Sequence, residues 1–442
     1  MKARVLSLVL STILCITVFA ACGGGTQSPS TPPASQAPAA DSSGAAPEPS
    51  GGKRQVKVMW LAAMNQTRVI REVIEEKFAA QYPDIEIVFD EIANSETGPK
   101  AMMEAVGKTG AYDVVMQNLT IPALVGAGAL EPLDEYIARD NFPIDKMIDN
   151  GISYKDHYYG LPVRGDVRVL HYNQEYFEQA GLDPESPPKN MEEFVEYGRK
   201  LVQNGHYGIN LQPTAVDNFT SFMFQFGGLF LDPDTQEPAF NSAAGLKSLE
   251  LIIQLRDEGI INPNAMGWQN PDEIAGYLGG DGAMYDAWPA RYVDASMPEK
   301  SAIVGNSRVA TLPGEKSLVS GWYMCMFNTA QDKDAAWEFM KFVVDPATQK
   351  EVILRGGDCN PTHLDVLNDA ELQEKFEVLR AVKDSFDKTQ VYCKSTQYQN
   401  IRDAVQVEIG RALNGEKTPQ QALDDAAEQA RQLLIEAGEI AA

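Results

Sequence analysis

Arg164 and Asp166 stand two positions apart within residues 159–177, YGLPVRGDVRVLHYNQEYF, and Arg168 follows at the same spacing. They alternate with Val163, Val167 and Val169, the period of an extended strand. A guanidinium beside a carboxylate offers several directed hydrogen bonds, while their charges nearly cancel. Asp286 and Arg291, on either side of Trp288, repeat the combination later in the chain. Interdomain salt bridges are an equally good reading of Arg168 and Arg291. Trp288, Trp322 and Tyr323 each follow a glycine turn or end a strand, where a flat ring can meet a ligand's apolar face. Trp268, in Gly267-Trp268-Gln269-Asn270, is a poorer platform, because a lone tryptophan packs into a core by default.

Nucleophilic and metal chemistry find little support. The chain has no Gly-x-Ser-x-Gly elbow and no His-Glu-x-x-His helix, and its four histidines are scattered. Gly107-Lys108-Thr109 lacks the earlier glycine of a phosphate loop, since Met102 stands there and no strand leads in. Asp232-Pro233-Asp234-Thr235 lacks the glycine and distal glutamate of a calcium loop and reads as a turn. No cofactor motif stands out. Paired carboxylates for glycoside hydrolysis stay open, so a surface-anchored carbohydrate-active hydrolase is the alternative from another class. Cys359 and Cys393 are read as thiols in preference to a disulfide, and Cys325 as a buried thiol in an apolar strand.

These side chains need elements to hold them. Residues 55–61 read as a strand, followed by a helix with Ile70, Ile74 and Phe78 on one face, and residues 85–89 as a second strand. A helix over 99–106 and a strand over 113–117 complete a third unit. Strand–helix–strand at such lengths calls for a parallel sheet covered by helices. Ligands collect at the carboxyl ends of such strands, which nominates Asn65, Gln117 and Asn118. A further helix is expected over 125–130. Gly160-Leu161-Pro162 then breaks the chain before the charged strand. Beyond it, Asn190 with Glu193 caps a helix, and the rings between Phe219 and Phe230 read as core. Residues 272–278 form a helix and 283–286 a strand leading to Trp288. Residues 320–327 form another strand, and Thr418-Pro419 with Gln421 opens a final helix.

With 442 residues the chain is too long for one ordinary core, and two domains are expected. A net charge of −25 argues against nucleic acid, which needs a basic surface. Lys2 and Arg4 precede an apolar run over 5–19 and then Ala20-Ala21-Cys22, an export signal that resembles a lipobox. Residues 1–22 are thus read as a lipoprotein signal, with Cys22 expected to become the acylated first residue of the mature protein. Residues 23–54, rich in Gly, Ser, Thr, Pro and Ala, are expected to be a disordered linker.

Several spaced segments resemble one family, the extracellular sugar-binding proteins of ABC-type, ATP-driven importers. They are Tyr159-Gly160-Leu161-Pro162 with Val167, Leu170 and Tyr172-Asn173, then Ala180-Gly181-Leu182 and Pro187-Pro188-Lys189. Gly128 to Asp134, the glycine turn and strand into Trp288, and Gly321-Trp322 also match. His363 departs from the family's arginine in Asn360-Pro361-Thr362-His363. The resemblance implies an α/β, type II periplasmic-binding-protein fold with two lobes joined by crossover segments. Lobe 1 is expected over 55–163 and 315–362, and lobe 2 over 164–314 and 363–442. It also implies that the loop with Asp358 and Asn360 reaches the cleft. The expected ligand is a carbohydrate, an oligosaccharide or sugar alcohol, with membrane permease subunits as the partner. The protein is expected to be a lipid-anchored monomer on the extracellular face of the membrane, and not an enzyme. Keeping the fold but taking a non-sugar solute is the remaining alternative.

Overall fold

The computed structural model describes residues 53–62, 65–118, 120–148, 153–203 and 205–442. Cys22, the signal segment and nearly all of the linker lie outside the described residues. In chain order, β1 (Arg54–Leu61), β2 (Ile85–Ile92) and β3 (Val114–Gln117) form the parallel part of a first sheet, with β1 between the other two. Apolar residues at alternate positions bury both faces of this sheet. Val56, Val58, Trp60 and Met116 pack against Trp337, Phe339 and Met340 of the helix Lys333–Val344. Met59 and Val115 pack the other way, against Ala101 and Ala105 of the helix Asn94–Gly107. The helix expected over 125–130 instead occupies Ile121–Gly126. Pro122 suits a first helical turn, and Gly128, at φ +62°, ends the run.

A short hairpin, β4 (Ser153–Tyr154) and β5 (His157–Tyr158), leads into β6 (Leu161–Val167). One residue later β7 (Val169–Asn173) belongs to a second sheet with β8 (Tyr207–Ile209), β9 (Gly282–Ala287) and β10 (Ser307–Ala310), in the order β10-β7-β9-β8. Its core gathers Leu170, Phe177, Phe194, Phe219, Phe222 and Phe230, so most of the aromatic run is packing. Helices Ala243–Asp257, Tyr398–Leu413 and Pro419–Glu436 cover it, the last capped by Thr418 and Gln421 as expected.

The chain returns through β11 (Ser317–Met326), antiparallel to both β3 and β6, and later adds β12 (Thr389–Val391), parallel to β11. The chain changes sheet between β6 and β7 and leaves the first sheet again after β12. β6 stays in the first sheet to Val167, so the change of sheet falls at Arg168, whose N–H donates to the Leu318 carbonyl at 2.9 Å. The last passage follows Val391, because β12 still pairs with the first sheet. A third cluster, with Val167, Val169, Val319, Val378 and Val382, lies over these passages.

Candidate binding site at the crossings

β6 occupies one edge of β11 over Val319–Met324. The opposite edge is shared: β12 pairs with Ser317, Leu318 and Val319, and β3 with Tyr323 to Met326. Among the described residues no strand pairs with Ser320, Gly321 and Trp322 on that side. A cavity opens at this gap, leading out to solvent. Asn118, Ile121 and Pro122 line it from the end of β3, and Tyr154 from the hairpin. Ser320, Gly321 and Tyr323 come from β11, and Tyr392, Cys393 and Lys394 from the last passage. Tyr392 also packs in the core of the second sheet, so the cavity lies where the two layers meet. The Lys394 ammonium donates to the Ser153 carbonyl at 2.7 Å, tying the last passage to the hairpin.

Arg168 braces the side of the second sheet. Its guanidinium lies 2.9 Å from an Asp286 carboxylate oxygen and donates to the Asp217 carbonyl (3.0 Å) and Asn218 Oδ1 (2.8 Å). It also lies 5.4 Å from the Trp288 ring centroid, a cation–π contact. Asp286 further accepts from Ser221 Oγ (2.6 Å) and Gln225 Nε2 (3.0 Å). Burial pushes its carboxyl above the ordinary range, and Arg168 offsets part of that rise. His171 is held neutral, pushed down to about 3 chiefly by burial, so its Nε2–H donates to the Trp288 carbonyl at 3.1 Å. Asp217 in turn accepts from the Tyr392 hydroxyl (2.6 Å) and Arg402 (2.9 Å). The tyrosine ring in the cavity wall is therefore fixed from behind.

A second polar group sits on β6. Arg164, 1% exposed, lies 3.3 Å from Asp166 and 3.4 Å from Asp358, and Asn360 donates to Asp166. Arg291 pairs with Asp294 at 2.9 Å, close enough for both charges to act on Asp358. Burial raises the Asp358 carboxyl, while Arg164 pulls it down. Asp358, Gln66 and Val163 border a smaller cavity.

The sequence-derived candidates thus separate. Asn118 and Tyr323 line the larger cavity. Arg164, Asp166, Asp358 and Asn360 form one buried polar cluster, part-buried Arg291 acts on its Asp358 through space, and Asp286 with half-buried Trp288 belongs to the Arg168 bracing. Four are engaged elsewhere. Trp322 lies in the core beneath the first sheet. Gln117 donates to the Thr97 carbonyl (3.1 Å) and accepts from Thr120. Trp268 packs over Gly276, where a Cβ would come within 3.0 Å of the ring. Asn65 donates to the Gly356 carbonyl at 2.6 Å, joining the first helix to the loop before Asp358. Tyr154, Gly321, Tyr392 and Lys394 were not among the candidates. Sequence spacing had no means of finding them, because three separate passages bring them together. No group of three or more His, Cys, Asp or Glu suited to a metal occurs among the described residues.

Two helix-covered sheets, linked by three passages with a cavity at their junction, define a two-lobed binding protein of type II periplasmic-binding-protein fold. The chain belongs to the bacterial extracellular solute-binding protein family, whose model matches residues 63–350. It is 28% identical over 276 residues to a probable amino-acid ABC transporter periplasmic-binding protein of Sinorhizobium fredii, covering 60% of this chain and 62% of that one. It is 28% identical over 323 residues to the maltotriose-binding protein of Pyrococcus abyssi, covering 70% of this chain and 66% of that one. The chain therefore spans just under two thirds of the length of each of these two relatives. A solved solute-binding protein of an ABC transporter from Agrobacterium radiobacter K84, in complex with ribitol, superposes with a TM-score of 0.74 at 25% identity, covering 87% of this chain and 99% of that one.

Proposed function

We propose that this protein captures a carbohydrate, an oligosaccharide or sugar alcohol, in the cavity between its lobes and delivers it to the permease of an ABC importer. The observation that carries this reading is the lining of the larger cavity. Three tyrosine rings, Tyr154, Tyr323 and Tyr392, stand with the Asn118 carboxamide and an unpaired strand edge. Rings meet the C–H faces of a sugar, and amide groups meet its hydroxyls. Among the described residues Lys394 is the one charged side chain in that lining, and its ammonium already has a carbonyl partner, which favours a neutral guest. The relative that binds maltotriose and the fold neighbour that holds ribitol support the same class.

Ligand touching both lobes shifts a hinge equilibrium toward the closed form, the state a permease recognises. Lobe 1 then comprises the first sheet, to Val167 and again from Ser317 to Val391, and lobe 2 the second sheet with the last two helices. The protein acts as a monomer without catalysis, on the extracellular face of the membrane, held by lipid on Cys22 through the linker. Titration calorimetry of the processed chain with maltotriose and ribitol tests the reading. Stoichiometric binding without turnover supports it, and release of shortened sugars would establish the hydrolase instead. The Sinorhizobium relative favours a second reading, an amino acid as solute. Binding of free amino acids, with both sugars ignored, would select it.

A further inference from the structure

Pairing parity shows which way the backbone of β11 faces at the cavity. The Arg168 N–H donates to Leu318 O, so residues 168 and 318 form a hydrogen-bonded pair. Bonded and unbonded pairs alternate along an antiparallel ladder. Residue 165 with 321 is therefore an unbonded pair, and the Gly165 N–H indeed turns away from β11, donating to the Asn360 carbonyl at 3.0 Å. It follows that both the N–H and the C=O of Gly321 point to the other edge. There β12 has ended at Val319, and the pairing with β3 begins only at Tyr323. Gly321 also lines the larger cavity, as does Asn118, whose carboxamide makes no hydrogen bond to a described residue. A buried main-chain donor and acceptor facing a cavity need partners.

We propose that the Gly321 main chain is a ligand subsite: its N–H donates to one hydroxyl of a bound sugar, and its C=O accepts from the neighbouring hydroxyl. The Asn118 carboxamide takes a hydroxyl beside them. This rests on the carbohydrate reading above and refines it, because adjacent hydroxyls supply an acceptor and a donor side by side. Glycine has no side chain to hold the sugar off the backbone. The subsite carries no charge, so it selects by hydroxyl position, not by ionic strength.

The test combines amide hydrogen exchange resolved at Gly321 with affinities for maltotriose and its monodeoxy analogues, using the processed chain. Saturating maltotriose is expected to slow exchange at Gly321 at least about tenfold, while Tyr323, paired with β3, stays protected throughout. One deoxy position should weaken binding by about tenfold and leave Gly321 exchanging at its ligand-free rate even at saturation. That second arm separates direct contact from general protection by lobe closure. Maltotriose binding with unchanged Gly321 exchange, or Gly321 protected equally by every deoxy analogue, overturns the subsite and leaves the function standing. Failure of maltotriose, maltose, ribitol and mannitol all to bind overturns both.

Discussion

Replacing Arg168 by Met would remove the cation at the point where the chain changes sheet. In the native protein this side chain is 2% exposed and touches Asp286, the Asp217 carbonyl, Asn218 and the face of Trp288. Methionine keeps most of the length but none of the donors. Asp286 retains Ser221 and Gln225 as donors, yet its carboxyl is already raised by burial and loses the charge that opposes the rise. Breaking a buried pair from one side costs roughly 3–5 kcal/mol. A second consequence is a pH dependence. With Arg168 gone the folded-state pKa of Asp286 rises further above its unfolded value, so the folded state holds the extra proton. Stability attached to that group is fully present below the unfolded pKa and is lost as pH rises through the folded one. The deficit of Arg168→Met should therefore be larger at pH 8 than at pH 5. Urea unfolding followed by circular dichroism and by tryptophan fluorescence measures it. The double variant Arg168→Met/Asp286→Asn should lose roughly 0.5–3 kcal/mol less than the two single losses combined. A loss below about 1 kcal/mol for Arg168→Met, or a pH-independent loss with additive singles, would refute the bracing argument.

Three further outcomes follow from other contacts. Trp322→Ala should cost about 3–5 kcal/mol of stability, read from denaturant midpoints, because its ring lies in the first core. A fall in maltotriose affinity with stability intact would put that ring in the site instead. Gly165→Ala places a Cβ 2.2 Å from Ile148 Cδ1 and 3.0 Å from the Pro361 carbonyl, so a thermal melt should reveal a loss of about 1–3 kcal/mol. Adding Ile148→Val should recover part of it, since one of the two clashes is with that methyl. Asp358→Asn should be less damaging at pH 7 than at pH 4. The raised carboxyl of Asp358 favours folding only at low pH, and asparagine removes that dependence. Equal urea midpoint differences at the two pH values would contradict the burial assigned to it.

Helix ends and turns were the most legible parts of this chain, because short-range hydrogen bonds decide them. Asn190 accepts from the Glu193 N–H at 2.8 Å, and Asp232 accepts from the Asp234 and Thr235 amides, as their spacing implied. Thr418 and Gln421 form the reciprocal cap read from the sequence. The strand character of residues 161–173 was equally plain, but its surroundings were not. A period of two says that valines and charges face opposite ways, and it is silent on whether the charged face meets water. Here Arg164, Asp166 and Arg168 are all buried, each against an acid, amide or carbonyl from a distant segment.

The sequence by itself determined the α/β class, the positions of most strands and helices, and the family, because these depend on local pattern and on motifs that survive as strings. Tertiary structure alone decided which polar residues meet. Trp322 and Tyr323 are neighbours in sequence, yet pleating sends the first into the core and brings the second to the cavity wall. Gly321, between Ser320 and Trp322, acquires its role only because β12 ends and β3 begins on either side of it. Such a gap exists between three strands far apart in the chain, and no residue's own chemistry encodes it.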